Sequence, residues 1–336
     1  MLSRNADCLL WMSRYVERAE NIARILDVNL QLLLDYQRLD ATQLKEHWEP
    51  IILTLGDEEL FYDLYDRADN ETVTQFLSFN EENPNSILSC IKAARENARS
   101  VRDQISEEMW EEINRLYLSL SEANHPRPWK SATSEFYKEI KQSSYLIQGL
   151  TNSTMPHDEG REFTQVGRFL ERADKTTRLL DVKYHILLPE GNPVGGAVDA
   201  VQWAAVLRCC TAFEAFQHEY KFDIKPWKVA NFLIFADSFP RSIKFCLKIL
   251  DQSLRNISGS RYGYFSNDAE KLSGRLLSEL NYSTLDDIYH RGLHEYLDTL
   301  QANLNDLGEL FYQSYNSVPA GEIEEEIVYQ QQQAQQ

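Results

Sequence analysis

The chain has 336 residues, room for about two ordinary domains, and its 43% hydrophobic and 26% charged residues are an ordinary globular balance. Fifty-two acidic against 34 basic residues leave a formal net charge of −18. So acidic a surface argues against nucleic acid or an anionic membrane as the main partner, because both demand Lys/Arg patches.

Thirteen Gly and ten Pro predict few turns and long elements. The five cysteines (Cys8, Cys90, Cys209, Cys210, Cys246) are odd in number and lack zinc-like spacing. Reduced, buried thiols in a cytoplasmic protein are the reading. Arg4 and Asp7 precede a short apolar run with no small-residue cleavage site, so no signal peptide is expected. No apolar stretch approaches the ~18 residues that span a membrane.

The first predicted element is a long helix. Trp11, Tyr15, Ala19, Ile22, Leu26 and Leu33 recur at helical steps. The helix starts after an Asn5/Asp7 cap and fades near Asp40. Its stretch Trp11–Leu34 returns as Gln165–Leu188, with Arg168, Glu171, Arg172, Arg178 and Asp181 each 154 residues beyond Arg14, Glu17, Arg18, Arg24 and Asp27. Such a match implies an internal duplication.

The repeat continues. Trp48 answers to Trp203, Phe76–Phe79 to Phe232–Phe235, Pro84-Asn85-Ser86-Ile87 to Pro240-Arg241-Ser242-Ile243, and Cys90 to Cys246. Ser86 and Ser242 each cap a further helix, Ile87 to about Arg102 and Ile243 to about Asn256. Glu107–Leu120 and Ser131–Leu150 close the first copy; Asp268–Leu280 and Thr284–Tyr315 close the second. Period-two runs and hairpin turns are missing, so strands are not expected. Turn-rich Thr151–Arg161 joins the copies, and Leu188–Val198 follows the second long helix. The predicted fold is therefore all-α: two tandem, pseudo-twofold-related helical bundle repeats packed into one compact unit. Residues 1–154 and 155–317 are the repeats, and 318–336 an acidic, Gln-rich disordered tail.

On a helical wheel Glu17, Glu20, Arg24, Asp27 and Gln31 form a polar strip that reads as a solvated face. Arg14 and Arg18 instead intrude on apolar stripes, as does Arg172 beside Leu179 and Ile186. A buried arginine needs a carboxylate, and Glu17 and Glu171 stand nearest, on the same or the partner helix. Three readings stay open for Arg14, Glu17, Arg18 and Arg24 with Arg168, Glu171, Arg172 and Arg178. One is a buried ion-pair network fixing how the duplicated helices pack. Another is an Arg-rich pocket for a carboxylate, phosphate or peptide end. The third makes Glu17 or Glu171 a general acid/base.

Other chemistry is sparse. His290 and His294 are two residues short of a metal site, and Glu214/His218 lacks the rest of a di-iron set. No phosphate-binding glycine motif or nucleophile elbow occurs. No metal and no cofactor are predicted. Phe61-Tyr62 and Phe311-Tyr312 read as core rather than a partner groove.

Met1-Leu2-Ser3-Arg4-Asn5-Ala6-Asp7, then Trp11-Met12-Ser13-Arg14-Tyr15-Val16-Glu17-Arg18-Ala19-Glu20-Asn21, resembles the opening of the bacterial Alpha-E family. Asp158–Phe163 followed by Gly167-Arg168-Phe169-Leu170-Glu171-Arg172-Ala173-Asp174 is similar to that family's second copy. The family is all-helical, named for its Glu-Arg motif and usually tandemly duplicated. The resemblance implies a partner role beside circularly permuted ATP-grasp and transglutaminase-like proteins in a system inferred to make or modify peptides. It assigns no catalytic step. The leading expectation is a non-catalytic helical partner or substrate-binding subunit of such a system. An enzyme acting on a peptide or amide bond is the runner-up, and a purely structural interaction module the third.

Overall fold

A computed structural model describes residues 3–36, 48–123, 133–185 and 197–315. Among these the chain forms fifteen α-helices and no strand, so the fold is all-α. The predicted fading near Asp40, the turn-rich 188–196 and the tail 318–336 lie outside the described residues.

Two long helices form the centre, α1 (Ser3–Tyr36) and α8 (Glu159–His185). They cross in extensive contact. On the N-terminal side α5 (Ile87–Ser100) and α7 (Thr133–Thr154) flank α1, and α6 (Glu107–Ala123) bridges them. On the C-terminal side α12 (Ile243–Ser258) and α15 (Leu293–Tyr315) flank α8, and α13 (Asp268–Tyr282) bridges them. Short helices α2 (Glu49–Leu55), α3 (Glu58–Leu64) and α4 (Asn70–Ser78) precede α5. Similarly α9 (Ala197–Cys209), α10 (Phe213–Tyr220) and α11 (Pro226–Phe235) precede α12, and α14 (Leu285–Arg291) precedes α15.

Local chemistry explains these boundaries. Ser86 Oγ accepts from the Ser89 amide at 3.2 Å, and Ser242 Oγ from Phe245 at 3.2 Å, which stops the chain from extending α5 and α12 backwards. Two aromatic trios seat the short helices. Phe61 stacks on Tyr65 (5.2 Å, 24°) with Phe76 edge-on at 5.1 Å; Phe216 stacks on Tyr220 (4.9 Å, 21°) with Phe232 edge-on at 5.7 Å. All five cysteines are buried free thiols.

Four expectations need correction. Asn5 and Asp7 do not cap the first helix, which is already helical at Ser3. Of Thr151–Arg161 only 155–158 is a turn: α7 runs through Thr154, where the Thr151 and Thr154 hydroxyls bond back to the Ile147 and Leu150 carbonyls, and α8 begins at Glu159. The segment Thr284–Tyr315 is not one helix. Gly292 takes φ +93°, and the chain turns there between α14 and α15. The strip Glu17, Glu20, Arg24 and Asp27 is not a solvated face but is buried, and only its last member, Gln31, is exposed. Helix α1 is enclosed by α5, α7, α8 and α9, which leaves its middle no outward face.

The α1–α8 crossing depends on Gly167. A Cβ there would land against the Leu10 carbonyl oxygen and Ser13 Oγ, inside any tolerable contact. Only a residue without a side chain lets the two backbones meet. Gly167→Ala should therefore lower stability by about 3 kcal/mol, the upper part of the range for overpacking. Denaturant unfolding checks this; a change within error would mean that the helices separate at no cost.

Candidate functional site: a crossed glutamate–arginine clasp

Each long helix carries one Glu-Arg pair at its middle, and the fold crosses them. The Arg18 fork grips Glu171 through Nε–Oε1 at 2.7 Å and Nη2–Oε2 at 3.0 Å. The Arg172 fork grips Glu17 through Nε–Oε1 at 2.8 Å and Nη2–Oε2 at 3.1 Å. Both are bidentate pairs, the geometry in which a guanidinium binds a carboxylate most strongly. The Glu171 side chain is 0% exposed and that of Glu17 is 1%.

Further donors fill both carboxylates. Glu171 also accepts from Arg14 Nε at 3.0 Å, with Lys175 Nζ at 3.8 Å. Glu17 also accepts from Arg241 Nη1 at 2.7 Å and from the Gln148 amide at 3.1 Å. Burial alone would raise both carboxyls. The charges of Arg172 and Arg241 outweigh it at Glu17, and those of Arg18, Arg14 and Lys175 at Glu171, so each is held well below the usual carboxylate range.

The other predicted residues spread outward from the clasp. Arg24 pairs with Glu20 one turn away and reaches the Tyr145 hydroxyl at 2.5 Å. Glu20 joins the clasp because Arg241 Nη2 bonds it at 2.8 Å. Arg178 pairs with Asp174 at 2.9 Å and is partly exposed, outside the buried centre. Arg168 is placed beside the clasp but makes no ion pair or hydrogen bond among the described residues. The fold thus brings together Arg14, Glu17, Arg18, Glu171 and Arg172 directly, Arg24 through Glu20, and leaves Arg178 and Arg168 at the edges.

Arg241, Asn85 and Gln148 are members that the helical wheel could not supply, since Gln148 comes from α7 and the other two from the turns that precede α12 and α5. Arg18 Nη1 donates to Asn85 at 2.9 Å, and Arg172 Nη2 to Gln148 at 2.9 Å. One signal was present: Pro-Asn-Ser-Ile against Pro-Arg-Ser-Ile puts a charge, Arg241, where the first copy has the neutral Asn85.

Elsewhere the chemistry is thin. Among the described residues no group of three or more His, Cys, Asp or Glu is placed to hold a metal. His290 and His294 fall on either side of the Gly292 break, so they do not share a helix face, and His294 Nδ1 lies 2.7 Å from Asp181. An apolar cavity of about 90 Å³ lies between α1, α2, α8 and α9, away from the clasp, with Ile25, Leu179 and Val206 in its wall. Lys183 lines it too and is held by Asp199 at 2.9 Å and Gln202 at 2.7 Å. Phe61 and Phe311 are core, while Tyr62 and Tyr312 face solvent.

These features agree with the comparison to known proteins. Residues 1–315 match the family described as "a predicted alpha-helical domain with a conserved ER motif". The chain belongs to the Alpha-E family. In this Alpha-E chain the two Glu-Arg pairs are the crossed residues of the clasp. It is also similar to the uncharacterized proteins Mb2597 of Mycobacterium bovis and Rv2567 of Mycobacterium tuberculosis, each 24% identical across 93% of the chain. The chain spans 37% of the length of these relatives. No solved structure matches it. No helix among the described residues is long and apolar enough to cross a membrane.

Breaking one side of the clasp strands a buried charge. Glu171→Gln should cost about 3–5 kcal/mol at neutral pH, because Arg14 and Arg18 lose their carboxylate. Both clasp carboxylates titrate below their unfolded value of about 4.3. Their contribution is therefore complete above about pH 5 and is lost as pH falls toward about 2. Urea titrations from pH 7 to pH 2 should show the gap between parent and Glu171→Gln closing over that interval; a gap independent of pH would refute the ionised pair.

Proposed function

We propose that this Alpha-E chain is a non-catalytic helical partner, or a substrate-binding subunit, of a peptide-synthesis or peptide-modification system. Its partners are a circularly permuted ATP-grasp protein and a transglutaminase-like protein, as the family resemblance implies. The observation that carries the non-catalytic reading is the saturation of Glu17 and Glu171. A general acid/base needs a free lone pair facing substrate and a pKa near the working pH. Glu17 accepts four close donor contacts and Glu171 three, both are sealed from solvent, and both are held far below neutrality. The motif is suited to joining helices rather than to turning over substrate.

Two further observations favour a partner role. The relatives are more than twice as long as the aligned region, so an Alpha-E-like segment there shares its chain with other sequence. The exposed loop after α12 carries Tyr262, Tyr264 and Phe265, large apolar side chains of the kind that anchor protein contacts. The same reading places the protein in the cytoplasm, in keeping with five unbridged thiols. It also takes the chain as two pseudo-twofold-related repeats, which the recurring aromatic trios support.

Co-expression tests this directly. The tagged chain, produced with the ATP-grasp and transglutaminase-like proteins encoded in the same genome, should co-purify with at least one of them and co-elute in size-exclusion chromatography. Glu17→Gln and Glu171→Gln, assayed at a temperature where each is folded, should retain that complex and the system's turnover. Loss of turnover in a folded, partner-bound Glu171→Gln would favour the amide-bond enzyme instead. Absence of any complex would leave only the structural interaction module.

A further inference from the structure

The apolar cavity of about 90 Å³ between α1, α2, α8 and α9 draws on matching positions of the repeated sequence. Ile25 and Val28 of α1 line it together with their counterparts Leu179 and Val182 of α8. Ile51 of α2 and Val206 of α9 line it too, each the third residue after its tryptophan, Trp48 or Trp203. The match breaks at one polar place. Asn29 stands where the second copy has Lys183, and both are in the wall.

These two side chains differ in how they are satisfied. Lys183 Nζ donates to Asp199 Oδ1 at 2.9 Å and to Gln202 Oε1 at 2.7 Å, so its charge is answered by neighbours. The Thr54 hydroxyl, also in the wall, donates to the Pro50 carbonyl at 2.7 Å. Asn29 Nδ2 is buried, and among the described residues it has no hydrogen-bond partner. A buried amide donor without an acceptor is costly. A water settles only where several polar groups hold it, and with Lys183 and Thr54 engaged this wall offers it chiefly Asn29.

We propose that this cavity binds the short aliphatic end of a neutral carbonyl compound (a ketone, ester or amide) whose oxygen accepts from Asn29 Nδ2. The aliphatic wall takes the hydrocarbon part and the single amide fixes its orientation, the division of roles usual in a small-molecule site. The space is roughly three-fifths of the ~150 Å³ apolar cavity that takes up benzene. That limits the buried part of the ligand to about four or five non-hydrogen atoms. A carboxylate is disfavoured, because it would leave water for an aliphatic wall whose cation, Lys183, already holds Asp199.

Butanone is the probe, added to the full chain with its isoleucine and valine methyl groups isotope-labelled for NMR. The Val28, Ile51 and Val206 methyl resonances should shift together and saturate at millimolar ketone, an affinity within reach of so small a ligand. Crystals soaked in butanone should show its oxygen within hydrogen-bonding distance of Asn29 Nδ2. Asn29→Leu keeps the branching of the side chain but removes the donor, and should weaken binding about five- to tenfold. Ala205→Leu, which adds bulk to the cavity wall, should abolish it. Ordered waters in place of the ketone, a ketone seen in the crystal without saturation in solution, or equal affinity in a folded Asn29→Leu would each overturn the proposal. Should the variants fail to fold, the titration and the soak decide on the unaltered protein.

Discussion

Two carboxylates with essentially no solvent exposure set the terms for the rest of this structure. Removing Glu17 and Glu171 from water costs several kcal/mol each, and a single arginine seldom makes good that loss. Here each carboxylate receives a bidentate fork from the opposite long helix and further donors: Arg14 of that same helix at Glu171, and Arg241 and Gln148 from other elements at Glu17. The glutamate of each helix is thus neutralised by the arginine of the other. Neither α1 nor α8 has a satisfied interior alone, so the N- and C-terminal halves must dock for either to bury its own charges. Gly167 supplies the close approach that brings the forks within reach.

The clasp also fixes register. Sliding α1 by one residue along α8 would move each fork about 1.5 Å along the axis and swing it about 100° around the helix. The four hydrogen bonds of the two bidentate pairs would then be lost together. Apolar packing among Leu9, Ile22, Leu26, Phe169 and Leu180 tolerates small shifts more readily, because dispersion contacts are numerous and weakly directional. Packing provides most of the attraction between the helices, and the buried ions select one arrangement among the many that packing would allow.

Much of this was legible in the sequence because α1 and α8 are long, strongly periodic and nearly the same. Repetition pointed to Arg14, Arg18 and Arg172 as charges on apolar stripes, and to Glu17 and Glu171 as the nearest acids. What a helical wheel cannot contain is the environment of the helix. Glu20, Arg24 and Asp27 looked solvated because they share one strip, yet Tyr145 and Lys141 of α7 and Arg241 from the turn before α12 cover it. The break at Gly292 was hidden for a related reason: the apolar spacing of Ile288, Tyr296 and Leu300 carries on across a turn that only the backbone reveals. Arg241 lay in plain view opposite Asn85, but its meaning depended on knowing that this corner touches Glu17.

Arginine rather than lysine at the centre of the clasp has a physical reason. A desolvated lysine can escape its penalty by losing a proton, and burial does depress Lys183 even with Asp199 beside it. A guanidinium keeps its charge when buried, and its planar fork matches both oxygens of a carboxylate at once. The network therefore cannot relax by deprotonation. On the Glu171 side the count is moderated by Asp174 and Asp57, with Asn85 as a neutral link between Arg18 and Asp57. On the Glu17 side Arg241 stands in place of that neutral link, and the surplus falls on Arg168. An acidic chain thus encloses an electropositive centre, and a single exchange at one corner decides which arginine is left over.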